Sequence, residues 1–126
     1  MTTQIADALA ERVAAAHHAK TPLAIRGGNT KAFLGQPVDG AILDIAEYRG
    51  MIDYQPGELV VTARAGTPLA GIETALAEHN QMLPFEPPHF GAQATLGGAI
   101  AAGLSGPRRP YAGAARDFVL GTRILN

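Results

Sequence analysis

Two pairs of adjacent glycines, Gly27-Gly28 and Gly97-Gly98, constrain this chain more than any other feature of its sequence. Glycine has no β-carbon, so consecutive glycines let backbone N–H groups converge on a bound anion. The first pair follows the apolar run 23–25, which is typical of a buried strand that feeds a turn. The second pair follows Thr95, at the predicted start of a short helix whose first N–H groups would be free. Both pairs are therefore candidate phosphate-binding segments.

Each glycine pair also fits a plain structural role. An ordinary turn is the commoner explanation of a lone pair such as the one in segment 26–31, and the second pair would let an alanine-rich helix pack closely. Two better-known nucleotide signatures are excluded. Leu104-Ser105 stands where a P-loop requires Lys followed by Ser or Thr, and no Gly-x-Gly-x-x-Gly follows a strand.

Two helices are predicted from apolar residues that recur on one face. The first runs to about residue 19, with Ile5, Leu9 and Val13 on its apolar stripe, and Pro22 ends it. In the second helix, Thr67 is the predicted N-cap and Pro68 takes the first helical position. Its apolar face consists of Leu69, Ile72 and Leu76, and Asn80 closes the helix.

Short apolar runs predict the strands. Residues 41–45 form one strand, and residues 51–54 and 58–63 form a hairpin closed by Gln55-Pro56-Gly57. The last run, 118–126, is interpreted as a strand that is still running where the chain ends. Helices that alternate with short strands indicate an α+β fold of mixed layers, with small sheets flanked by helices.

Composition excludes several classes of protein. Hydrophobic residues make up 47% of the chain and charged residues 17%, which is typical of a globular domain. The formal net charge of -1 provides no basic field for nucleic acid, and no apolar run is long enough to span a membrane, so we expect a cytoplasmic protein. The absence of cysteine excludes disulfides and thiolate metal sites. The four histidines, which lie at positions 17, 18, 79 and 89, have no partner at zinc-ligand spacing, so no metal site is expected.

In order, these segments resemble the FAD-binding domain of the vanillyl-alcohol oxidase / p-cresol methylhydroxylase (PCMH) family. The family pattern has an Arg-Gly-Gly loop, a strand that ends in Ala-Gly, and a Thr-Ile-Gly-Gly segment after a proline. Here they are represented by Arg26-Gly27-Gly28, by segment 60–67 and by Thr95-Leu96-Gly97-Gly98, and segment 113–121 resembles the stretch that follows in the family. The resemblance implies that residues 1–126 are the N-terminal portion of an FAD-binding PCMH-type domain, with the remainder and the substrate cap absent.

The resemblance also implies which residues bind the FAD pyrophosphate. They are Arg26, Gly27, Gly28, Asn29, Thr30 and Lys31 in the first segment, and Pro88, Ala94, Thr95, Leu96, Gly97, Gly98 and Ala101 in the second. Asn29 replaces the third glycine of the family and leaves less room in the loop. Thr30 occupies the position where some members attach flavin through histidine, so we expect non-covalent FAD.

Within the family, segments 83–91 and 103–110 resemble FAD-binding subunits of multi-subunit enzymes that oxidise glycolate to glyoxylate. This implies a small 2-hydroxy-acid substrate, a second FAD-binding subunit and an iron–sulfur subunit, with any membrane association through those partners. Two alternatives are another dehydrogenase of the family, such as one acting on D-lactate, and a non-catalytic flavin-binding relay or scaffold. No catalytic residue is assigned, and the chain alone is expected to be inactive.

Overall fold

A computed structural model describes residues 2–126 of the protein. Over this range, helices and small sheets alternate, and the predicted α+β class is confirmed. The helices are α1 (Thr2–Ala19), α2 (Leu69–Ala77), α3 (Leu96–Ala102) and α4 (Arg109–Ala112), and the strands are β1 (Leu23–Arg26), β2 (Ala41–Asp44), β3 (Met51–Gln55) and β4 (Val60–Ala63). Two 3₁₀ turns span Pro56–Glu58 and Ala115–Phe118.

Helix α1 ends where the sequence predicts. Lys20 adopts a left-handed backbone conformation (φ 55°), and the N–H of Thr21 donates to the carbonyl oxygen of Ala16 at 2.9 Å. This closing arrangement satisfies carbonyl groups that the helix itself leaves free. The predicted stripe faces inward, since Leu9 is buried. Within residues 2–126, no helix combines the length and the apolarity needed to cross a lipid bilayer.

The four strands form two separate sheets. Strands β1 and β2 pair in parallel, with Leu23 opposite Ala41 and Arg26 opposite Asp44, whereas β3 and β4 form the predicted antiparallel hairpin. Residues 27–40 connect β1 to β2 without a helix. The first glycine pair therefore lies at the carboxyl end of β1, on the connection to a neighbouring parallel strand.

The start of α2 differs from the prediction. Pro68 is the cap residue and Leu69 begins the helix, while Thr67 makes no capping bond. Instead, the buried Thr67 hydroxyl donates to the carbonyl oxygen of Arg64 at 2.6 Å and accepts from the N–H of Gly50 at 3.0 Å. The prediction was wrong because these partners lie before β3 and after β4, and they satisfy the hydroxyl better than the helix terminus. The predicted helix end at Asn80 is also displaced, since α2 ends at Ala77 and Asn80, with φ 56°, lies in the turn that follows.

The main apolar cluster lies beneath the second glycine pair. Leu69, Ala94 and Ala99 are almost completely buried, and Leu83 and Leu96 pack against them. Burial of a leucine side chain contributes roughly 1.5–3 kcal/mol to folding. This core joins α2 to α3 and fixes the position at which α3 begins.

The predicted C-terminal strand is wrong. Residues 115–118 form a 3₁₀ turn, and residues 119–126 have no regular secondary structure. The apolar composition of this segment is suitable for a strand, but a strand also needs a neighbouring backbone that completes its ladder. None of the strands described here pairs with it.

Candidate functional site

The first glycine loop, residues 26–31, carries backbone donors that are not used within the protein. Among residues 2–126, no protein acceptor bonds to the N–H groups of residues 27–31. Asn29 has φ 59°, whereas Gly28 does not have a positive φ. A left-handed residue in a turn directs successive N–H groups towards one side, which makes a concave site for an anion. The loop therefore offers adjacent free donors for phosphate oxygens.

The left-handed conformation also explains why asparagine is suitable at position 29. Apart from glycine, asparagine is among the residues that adopt this conformation at the lowest cost. The sequence suggests that Asn29 reduces the room in the loop, but its side chain is exposed. Asn29 thus provides the turn that a third glycine would provide.

The second glycine segment, residues 94–98, uses its donors internally. The N–H of Leu96 donates to the carbonyl oxygen of Thr67 at 2.9 Å, and that of Gly97 donates to Ala65 at 2.7 Å. The N–H of Gly98 donates to the hydroxyl oxygen of Thr95 at 3.1 Å, which caps α3. The expectation of free N–H groups at Gly97 and Gly98 is therefore wrong, because the carbonyl oxygen of Ala65 and the hydroxyl oxygen of Thr95 already accept from them.

The structure brings the two glycine segments together. A β-carbon on Gly27 would lie 2.7 Å from the hydroxyl oxygen of Thr95, and one on Gly28 would overlap the carbonyl oxygen of Gln93. A β-carbon on Gly91, which precedes the second segment, would lie 3.0 Å from the methyl group of Thr30 in the first loop. The first loop thus rests on the second segment, and both glycines at positions 27 and 28 are required by this close approach.

The remaining candidate residues fall into two groups. Ala94 is 1% exposed, and its carbonyl oxygen accepts from the N–H of Leu69 at 2.8 Å, so its role here is in the core. Arg26 is exposed and Lys31 is half-buried, which places two cationic side chains on the loop that carries the free donors. The other two positions, Pro88 and Ala101, are half-buried and exposed respectively.

Segments 83–91 and 103–110, whose sequences carry the more specific resemblance, also contact each other. Glu86 accepts from the backbone N–H of Arg108 at 2.9 Å through its side-chain oxygen Oε1. The N–H of Gly106 donates to the carbonyl oxygen of Phe85 at 2.9 Å, and a β-carbon on Gly106 would lie 2.6 Å from that of Glu86. These contacts join residues 85 and 86 to residues 106 and 108, which follow the end of α3.

Two side-chain pairs were missed by the sequence analysis. His89 lies 3.0 Å from the carboxylate of Glu73, a partner on α2 that sequence spacing does not reveal. Phe33 and Phe90 form an edge-to-face pair with ring centroids 5.2 Å apart. The sequence did show that Phe33 and Phe90 each lie in a turn-rich segment, where no helix or strand pattern explains an apolar residue. In the described part of the chain, no cluster of three or more His, Asp or Glu side chains could hold a metal ion.

A loop with free backbone donors, packed against a glycine-containing helix start, is an arrangement whose donors can bind an anion such as a phosphate group. A family model described as "FAD binding domain" matches residues 3–126. The chain therefore belongs to the FAD-binding domain family, and the expected cofactor, FAD, is confirmed.

Among curated proteins, the chain is similar to glycolate oxidase subunit GlcE of Escherichia coli strain K12. The two are 60% identical over 118 residues, which cover 94% of this chain and 34% of GlcE. The chain thus spans about a third of the length of this relative. Both comparisons support the interpretation of the chain as a component of an FAD-dependent oxidoreductase.

Proposed function

We propose that this chain binds the pyrophosphate of non-covalent FAD in a flavin-dependent 2-hydroxy-acid oxidoreductase that converts glycolate to glyoxylate. The free N–H groups of residues 27–31 carry the proposal, because they lie in a protein that belongs to an FAD-binding family. The non-covalent mode is supported by Thr30, because it stands at the position where some members of the family attach flavin through histidine.

The two glycine segments have different roles in this proposal. The N–H groups of residues 27–31 bind phosphate oxygens, and the side chains of Arg26 and Lys31 balance the negative charge. The second segment, which includes Thr95, Leu96, Gly97 and Gly98, supports the loop from below. Ala94 belongs to the same support because it is buried in the core beneath α3, and Pro88 and Ala101 are retained as proposed contacts of the cofactor. Water is displaced from the loop as phosphate oxygens take the donors.

Glycolate oxidation is proposed from the similarity to GlcE. When bound, FAD supplies the two-electron acceptor that a 2-hydroxy acid requires in order to become a 2-oxo acid. This chain contributes binding and orientation of the cofactor, and no residue among those described is assigned to proton abstraction. Residues 1–126 act as the N-terminal portion of the FAD-binding domain, and protein outside them binds the substrate.

The proposal includes a multi-subunit assembly. The relative is named as a subunit of glycolate oxidase, which supports the presence of partner subunits. We place a second FAD-binding subunit and an iron–sulfur subunit among them, since electrons taken from glycolate must leave the flavin. In this arrangement the assembly is cytoplasmic, and any contact with a membrane is made by the partners.

Neutralisation of Lys31 tests the phosphate site. Lys31→Gln should weaken FAD binding about fivefold, because one charge-assisted contact worth about 1 kcal/mol is lost. Lys20→Gln is the matched control, since Lys20 precedes β1 and lies at the opposite end of that strand from the loop. The measurement is a titration of the flavin absorbance of each folded variant. Equal affinities in both variants would contradict the assignment of the loop.

The substrate is tested separately from the cofactor. The assembled enzyme, loaded with FAD and held without oxygen, should lose its oxidised-flavin absorbance when glycolate is added. D-lactate is the comparison substrate, and preferential bleaching by D-lactate would instead support the other dehydrogenase. If FAD is bound but neither acid bleaches it, the relay or scaffold function replaces oxidation while the phosphate site remains.

A further inference from the structure

Phe33 and Phe90 display their rings at the surface of the protein. The two residues are 64% and 55% exposed, and their rings meet edge to face at an interplanar angle of 80°. This geometry is a favourable arrangement for two aromatic rings, and it leaves ring faces accessible. Exposed aromatic pairs beside a polar site are typical of ligand-binding surfaces.

The backbone at Phe90 adopts a conformation that is uncommon for a bulky residue. Phe90 has φ 53° and is followed by Gly91 with φ 148°. A bulky residue rarely adopts the left-handed conformation, which persists only where the surrounding structure imposes it. Because the Phe90 ring is exposed, burial in the core does not compensate for the cost of this conformation. Such outliers cluster at functional sites.

The aromatic pair lies at the edge of the first glycine loop. Phe33 is two residues from Lys31, and Gly91, next to Phe90, lies against Thr30. The loop provides the backbone donors of residues 27–31 for phosphate, and the aromatic pair provides an exposed apolar surface near Thr30 and Lys31. Phosphate donors beside exposed aromatic rings are suited to a ligand that joins a phosphate to a flat heterocycle.

We infer that Phe33 and Phe90 form a stacking surface for a planar ring of the bound dinucleotide, and this inference rests on the proposed phosphate site. The ring is either the adenine or the isoalloxazine of FAD, and both have the flat π-face that stacking on phenylalanine requires. The pair determines the orientation of the cofactor beyond the pyrophosphate. The edge-to-face contact between the two rings is already formed before the ligand arrives.

The test compares ligands that share a phosphate but differ in their rings. The full chain is titrated with FAD, ADP, FMN and inorganic pyrophosphate, with Phe33→Leu and Phe90→Leu as variants. Leucine keeps the apolar character and removes the flat face. Tyr111→Leu is the control, since Tyr111 is an aromatic residue that is 93% exposed on α4.

Each phenylalanine variant should weaken FAD binding about three- to tenfold and leave pyrophosphate binding unchanged. A parallel loss for ADP assigns the surface to adenine, and a parallel loss for FMN assigns it to isoalloxazine. Unchanged FAD affinity in both variants would overturn the inference, as would an equal loss for pyrophosphate, which indicates a distorted loop. If the folded wild-type chain binds neither FAD nor pyrophosphate, the phosphate site itself is wrong and the stacking surface falls with it.

Discussion

The α-carbon of Gly27 lies so close to Thr95 that a β-carbon there would come within 2.7 Å of the threonine hydroxyl oxygen. This contact joins two segments that are separated by most of the chain. It also relates the loop with free donors to the segment in which the N–H groups of Leu96, Gly97 and Gly98 are already bonded. The stability of the site therefore depends on the absence of side chains at positions 27 and 28.

Alanine at position 28 should be strongly unfavourable. A β-carbon on Gly28 would overlap the backbone carbonyl of Gln93, which cannot rotate away as a side chain can, so we expect Gly28→Ala to lower the free energy of unfolding by about 1–3 kcal/mol. Gly71→Ala is the control. It lies in α2 with open space around it, and should stabilise the protein by about 0.5–1 kcal/mol. Denaturant unfolding of both variants measures the contrast, and equal midpoints would refute the close approach.

The hydroxyl of Thr95 should matter more than its methyl group for the start of α3. Thr95→Val keeps the shape and removes the acceptor of the Gly98 N–H, so the expected loss is about 1 kcal/mol. Thr95→Ser keeps the acceptor and should preserve the helix start. Amide hydrogen exchange at Gly98 is the direct measurement. Faster exchange in the valine variant but not in the serine variant is expected, and the reverse order would contradict the cap.

Thr67 should stabilise the connection between the hairpin and α2. Thr67→Val removes a buried hydroxyl that bonds to Gly50 and Arg64, and should cost about 1–3 kcal/mol because the N–H of Gly50 loses its partner. Thr74→Val is the matched control, since the exposed Thr74 hydroxyl bonds only to its own helix. Its effect should stay within about 0.5 kcal/mol in thermal or denaturant unfolding. A similar loss in both variants would argue against a special role for Thr67.

The conformation of Asn29 predicts which substitutions the first loop accepts. Asn29→Gly should retain FAD binding, because glycine adopts φ 59° without strain. Asn29→Val should cost about 1–2 kcal/mol, because a β-branched residue is disfavoured in the left-handed region. FAD titration and denaturant unfolding together check this prediction. Tight FAD binding by the valine variant would show that the left-handed turn is not required.

Local features of the fold could be predicted from the sequence. The end of α1 at Lys20 and the β3–β4 hairpin depend on residues that are close together in the chain. Apolar periodicity and turn-forming residues act over a few positions, so they can be recognised without a structure. The order of the two glycine segments was also sufficient to indicate the FAD-binding family.

Tertiary structure decided which backbone groups remain available to a ligand. Gly28 and Gly97 belong to similar glycine pairs, yet the N–H of Gly97 is used by Ala65 whereas that of Gly28 has no protein acceptor in the described chain. The true partners of Thr67 and the Phe33–Phe90 pair likewise depend on residues brought together by folding. The sequence by itself determined where the chain turns and which class of cofactor it binds. The folded structure determined which backbone donors are left without a protein acceptor, because each hydrogen-bond partner is selected by distance in space.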